Sequence, residues 1–97
     1  DEHLDRRYAM RAKGLDFDGI VHRVAHFLKI KPADVLKRGK EPQTVMARNV
    51  LCYWASRELG VTTVEISKRL KICQSSVSRS ALRGETIVAN NRYELDW

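Results

Sequence analysis

An all-α bundle that closes on a helix-turn-helix is the fold this sequence predicts, and three observations carry that reading. Apolar residues recur at helical spacing in several separate stretches, helix start and stop signals divide those stretches, and strand-like alternation appears nowhere. At 97 residues and 43% hydrophobic content the chain suits one modest core, with too little Gly and Pro for a low-complexity chain. No internal repeat is visible.

Residues 1 to 14 are polar, with a weak helical period at Leu4, Tyr8, Arg11 and Gly14, and read as a linker or N-terminal helix. From Leu15 the signal sharpens. Asp18 is a suitable N-cap for a helix ending near Lys29, whose core stripe is Ile20, Val24, Phe27 and Leu28. Pro32 opens a short helix to about Arg38, because proline is tolerated in a first turn, and Gly39 ends it. Residues 37 to 42 form a basic loop. Residues 43 to 59 then make the longest helix, stopped by Gly60, with Met46, Ala47, Val50, Leu51 and Trp54 on its buried face. Trp54 reads as a core anchor rather than a stacking platform, since its apolar neighbours at helical spacing already account for it.

The sequence Thr62-Thr63-Val64-Glu65 is a capping box, in which Thr62 and Glu65 satisfy each other's backbone N–H groups. A helix from there to about Leu70, a turn at Lys71 and Ile72, and a helix from Gln74 to about Ala89 follow, with Asn90 and Asn91 as terminators that close a domain of residues 15 to 91 before a C-terminal tail of residues 92 to 97. Ile66, Leu70, Ile72, Val77 and Ala81 are the apolar positions that two steeply crossing helices need, and small Ser67 allows close approach. Lys71 stands where many such turns carry glycine, at a cost of about 1 kcal/mol. Val77, Ala81, Gly84 and Val88 are the inward stripe, and Gly84 permits close helix contact.

In such a motif the last helix presents its first turns to the major groove, so Gln74, Ser75, Ser78 and Arg79 become base or phosphate contacts. Gln pairs in bidentate fashion with adenine, Arg with guanine, and Ser serves bases or phosphates. Four serines, at 75, 76, 78 and 80, are otherwise an unusual choice for a helix. Ser76, Arg83, Lys68 and Lys71 flank these positions and complete the DNA-binding set on the two helices. Charge agrees with a polyanion partner: the chain is +6 overall. Its Lys and Arg concentrate between residues 29 and 83, and its Asp and Glu outside them.

Cys52 and Cys73 lack the spacing of a metal or redox pair and read as reduced packing thiols. The apolar runs are too short to span a bilayer, and the acidic start Asp1-Glu2-His3 lacks the basic opening of a signal peptide, so a cytoplasmic, nucleoid-associated protein is expected. No cofactor, metal or small-molecule substrate is expected. His22 and His26, beside Arg23, read as a solvated face, and no catalytic partner set accompanies the serines or cysteines, so the chain reads as no enzyme.

Residues 15 to 89 resemble the C-terminal DNA-binding domain of the replication initiator DnaA, of Trp-repressor-like fold. "FDGIVHRVAHFLKIKPADVLKRGK" is similar to that family's entry helix, short second helix and basic loop, "ARNVLCYWASREL" to its long helix, and "EISKRLKICQSSVSRSA" to its helix-turn-helix, in the same order. The family's Asp-His-(Ser/Thr)-Thr signature is replaced here by Cys73-Gln74-Ser75-Ser76, so its DNA-box specificity does not carry over. The variant also resembles the C-terminal part of some proteins related to REP-associated tyrosine transposases. Neither a phosphate loop nor the paired-histidine and tyrosine nuclease motif occurs in this chain. The resemblance implies a minor-groove or backbone contact by Lys37, Arg38 or Lys40, and Arg48 is a phosphate candidate or a solvated surface residue. The rival reading is a protein-interaction module that uses the same two helices as a docking surface. A docking face should expose apolar residues, and here Leu82 is the large one among Gln, Ser and Arg.

Overall fold

The computed structural model describes Gly14, residues 16–37 and residues 39–93, so the expected N-terminal segment before Gly14, Arg38 and the end of the expected 92–97 tail lie outside the described residues. Every described element is helical: α1 (Phe17–Leu28), α2 (Pro32–Val35), α3 (Pro42–Tyr53) continued by a π-helical stretch (Trp54–Leu59), α4 (Thr63–Leu70) and α5 (Gln74–Asn91). Among the described residues no helix is long and apolar enough to cross a membrane.

The cap of α1 is Asp16 rather than Asp18. Asp16 has the extended backbone a cap requires, and its Oδ1 accepts from the Gly19 N–H at 2.9 Å. Asp18 falls in the first turn, where its charge still favours the helix dipole. Phe17, Ile20, Val21, Val24, Ala25 and Leu28 are buried, while Phe27 is half-buried. The second helix stops at Val35, short of the expected Arg38. Val35 is fully buried but Leu36 is 41% exposed, so a further turn would gain no core contact.

Along α3, Ala47, Val50, Leu51, Cys52 and Trp54 are buried as the apolar pattern requires, with Met46 half-buried. Its end is not regular α-helix. The Ser56 hydroxyl donates to the Cys52 carbonyl at 2.7 Å, competing with the backbone where the helix widens into its π-helical stretch. Gly60, at φ 80, closes it. With that stretch the helix runs unbroken from Pro42 to Leu59, and α5, at 18 residues, is as long.

Thr62 caps α4, its Oγ1 accepting from the Glu65 N–H at 3.2 Å. The capping box is only half formed, because the Glu65 carboxylate accepts from Arg69 Nε at 3.4 Å instead. α5 runs past the expected Ala89 and takes up Asn90 and Asn91, so that Arg92 closes it at φ 55. Three cationic residues, Lys29, Lys71 and Arg92, thus hold left-handed C-cap positions. That conformation costs a non-glycine residue about 1–2 kcal/mol, and a cation at the negative end of the helix dipole returns about 0.3–1 kcal/mol of it.

Trp54 is the largest fully buried side chain, packed with Ile20, Val24, Val35, Val50, Leu51, Ile66 and Val77 in one core. Its ring lies 5.4 Å from that of Phe27, which in turn lies 5.0 Å from Tyr93 beyond the end of α5. The most extensive helix contact is α3 against α5. It closes through Val77, Ser80 and Gly84, with Ala81 and Val88 half-buried. Ser80 therefore belongs to the packed face and not to the outward serines.

Candidate nucleic-acid interface

The geometry starts from the turn between α4 and α5. Ile66 and Leu70 on one helix and Val77 on the other are buried, and half-buried Ile72 packs against the same core. Lys71 takes the positive φ, 57°, that the turn demands, and the Ile72 N–H reaches the Ser67 carbonyl at 3.2 Å. Half-buried Ser67 sits at the junction, its hydroxyl donating to the Val64 carbonyl at 2.8 Å. These contacts pin the start of α5 by its apolar face and leave the opposite face to solvent.

On that outer face Gln74, Ser75, Ser78, Arg79 and Arg83 are exposed. Lys68, in the last turn of α4, and Lys71 are exposed beside them. Ser76 departs from the set. It is half-buried, its Oγ lies 3.1 Å from the Cys73 thiol, and it accepts from Arg79 Nη2 at 3.5 Å, so it organises the helix start rather than facing outward. Residues 66–84 include no Asp or Glu. Of their cations, Arg69 is occupied elsewhere: its guanidinium lies 4.9 Å from the Phe17 ring centroid and 3.9 Å from Asp18, tying α4 to α1. The nearest carboxylates in sequence are engaged too, Glu65 with Arg69 and Glu85 with Arg57 at 3.6 Å.

In the basic loop Lys37 and Lys40 are exposed, and Arg38 lies outside the described residues. Arg48 is not simply displayed. It is half-buried on α3, and its Nη2 donates to the Gly39 carbonyl at 2.9 Å, mooring the loop to the helix. One turn further along α3, Cys52 is buried beside Ser80 of α5. The loop is thereby fastened to the flank of α3 that α5 covers.

Cys52 is the packing thiol expected, and burial pushes its pKa up to about 12. Cys73 is not. It is the exposed N-cap of α5, and hydrogen bonds from Ser75 and Ser76 draw its thiol down to about 7. The available signal was its place immediately before Gln74, where a helix start needs an acceptor for its free N–H groups.

His22 and His26 are exposed on α1, and among the described residues no three His, Cys, Asp or Glu side chains gather to hold a metal ion. A depression of about 550 Å³, open to solvent, is lined by Phe17, Leu59, Val61, Thr62 and Arg69 at the α1–α4 junction, away from the exposed start of α5. Against family models, curated proteins and solved structures, the chain finds no match.

Proposed function

We propose that this chain is a sequence-specific double-stranded DNA-binding module of Trp-repressor-like, DnaA-C-terminal-like type. In this reading α4, the Lys71–Cys73 turn and α5 act as a helix-turn-helix, in the DNA-binding part of a larger transposase-related or replication-initiator-like bacterial protein. One observation carries it: the exposed first turns of α5 bear Gln74, Ser75, Ser78 and Arg79 over a stretch with cations and no carboxylate. Hydrogen-bonding side chains of these types suit base edges, and the surrounding Lys68, Lys71 and Arg83 suit phosphates. Lys37 and Lys40 add a second cationic contact at the moored loop.

The second reading is a docking surface for another protein, which the 59% exposure of Leu82 favours. Titrating labelled random duplex at several salt concentrations separates the two. A module that neutralises phosphates through these cations loses affinity steeply as salt rises, because bound counterions are released on binding. Affinity that is absent, or flat across the salt series, would remove the DNA reading.

A further inference from the structure

Leu82 is 59% exposed, the most open of the large apolar side chains among the described residues. It stands seven residues after Ser75, four after Ser78 and three after Arg79 on α5, and all three of these are exposed. At 100° per residue, seven residues return to within about 20° of the same direction, and they advance about 10 Å along the axis. Recognition helices that lie along a major groove about 12 Å wide can read bases with residues at this spacing of i, i+3, i+4 and i+7. Ser75, Ser78, Arg79 and Leu82 form such a row.

We infer that Leu82 is a specificity-determining residue that packs on the C5-methyl group of a pyrimidine in the major groove, an inference that rests on the DNA-binding reading above. The surroundings select this occupant over an apolar protein surface. Arg79 and Arg83 are both exposed beside Leu82, and no carboxylate stands between residues 66 and 84. A partner must therefore offer negative charge on either side of an apolar group. Duplex DNA meets both requirements, since phosphates line the groove and thymine, or a 5-methylcytosine, places a methyl group on its floor.

The test uses two random duplex libraries, one built with dT and one with dU, which differ only by that methyl group. Selection with the 97-residue chain should recover from the dT library a motif containing a thymine that the dU library does not enrich. On the best duplex, replacing that one dT by dU should weaken binding about fourfold, the worth of one buried methyl group. Leu82→Ala should bind the two duplexes equally, and Leu82→Met, which keeps an apolar side chain, should retain most of the discrimination. A third duplex with cytosine at that position, methylated or not, assigns the source: a gain confined to 5-methylcytosine, lost in Leu82→Ala, places Leu82 on a modified base instead of thymine. The dT-to-dU comparison is made first with the unaltered chain, so it does not depend on any variant folding. A selected motif with no methyl effect, or an effect that persists undiminished in Leu82→Ala, overturns the role of Leu82 and leaves DNA binding standing. Failure of both libraries to enrich any motif overturns the role of Leu82 and the DNA-binding reading together.

Discussion

Gly84 of α5 sits so close to the carbonyl oxygen of Asn49 on α3 that a Cβ added there would overlap it, and would also lie 2.8 Å from the Tyr53 Cβ. The glycine is thus required by a neighbouring backbone and not by its own dihedral angles. In an open helix Gly84→Ala would gain about 1 kcal/mol of helix propensity. Here the obstacle is main chain, which cannot swing aside, so the substitution is expected to destabilise by about 1–3 kcal/mol. Denaturant unfolding measures it, and a stabilised variant would mean that α3 and α5 stand further apart than described.

Trp54 is 1% exposed at the meeting point of α1, α3 and α5, with the Phe27 ring 5.4 Å away. Trp54→Ala should cost about 3–5 kcal/mol, through lost burial and the cavity left behind. Binding to DNA should weaken only as far as the folded population falls. Thermal melting alongside binding at low temperature checks this, and lost binding at an unchanged melting temperature would make Trp54 a contact residue.

The two cysteines should behave oppositely. Cys73, exposed and drawn from 9.0 down to about 7, should alkylate readily at neutral pH, whereas Cys52, buried and raised from 9.0 to about 12, should react only on unfolding. The signs for stability differ as well. The Cys52 contribution is present below pH 9 and is lost as pH rises towards 12, while that of Cys73 is present above pH 9 and is lost as pH falls through about 7. A thiolate at the start of α5 also opposes phosphate, so DNA affinity should fall as pH rises through 7, and Cys73→Ser should flatten that dependence. Alkylation followed by mass spectrometry, and binding across pH 6 to 8.5, check both points; equal reactivity of the two thiols would contradict the burial described.

Much of this architecture is legible in the sequence wherever burial alone decides. Ile20, Val24 and Leu28, Ile66 and Leu70, and Val77 all lie where a helical period places them, because each needs only an apolar face and a core. Features that depend on backbone angles or on a second element are not legible. Asp16 and Asp18 are equal as cap chemistry, and the extended backbone at Asp16 decides between them. Arg92 ends α5 in place of two asparagines better suited to a left-handed cap. Ser80 differs, for it stands three residues after Val77 and four before Gly84, in the inward row that the helical period already draws. Arg48 looks like any surface cation until the loop folds back to offer it the Gly39 carbonyl nine residues away.

The DNA-binding proposal divides the labour between α5 and the basic loop, and it yields the sharpest expectation. Gln74 is exposed at the first position of α5, from which side chains reach base edges, and Lys40 is exposed in the loop that Arg48 moors. A glutamine that pairs with one base should matter at one base pair, so Gln74→Ala is expected to relax preference there by about 1–3 kcal/mol. A lysine that neutralises one phosphate carries no sequence information. Lys40→Ala should weaken all duplexes alike and lower the salt slope by about one unit. Neither substitution removes a buried contact, so melting temperatures should stay near that of the parent. Each variant is measured on a selected duplex and on random duplex at two salt concentrations. Were Gln74→Ala to weaken both duplexes equally, or neither, α5 would not be the base-reading element, and the docking reading would take its place.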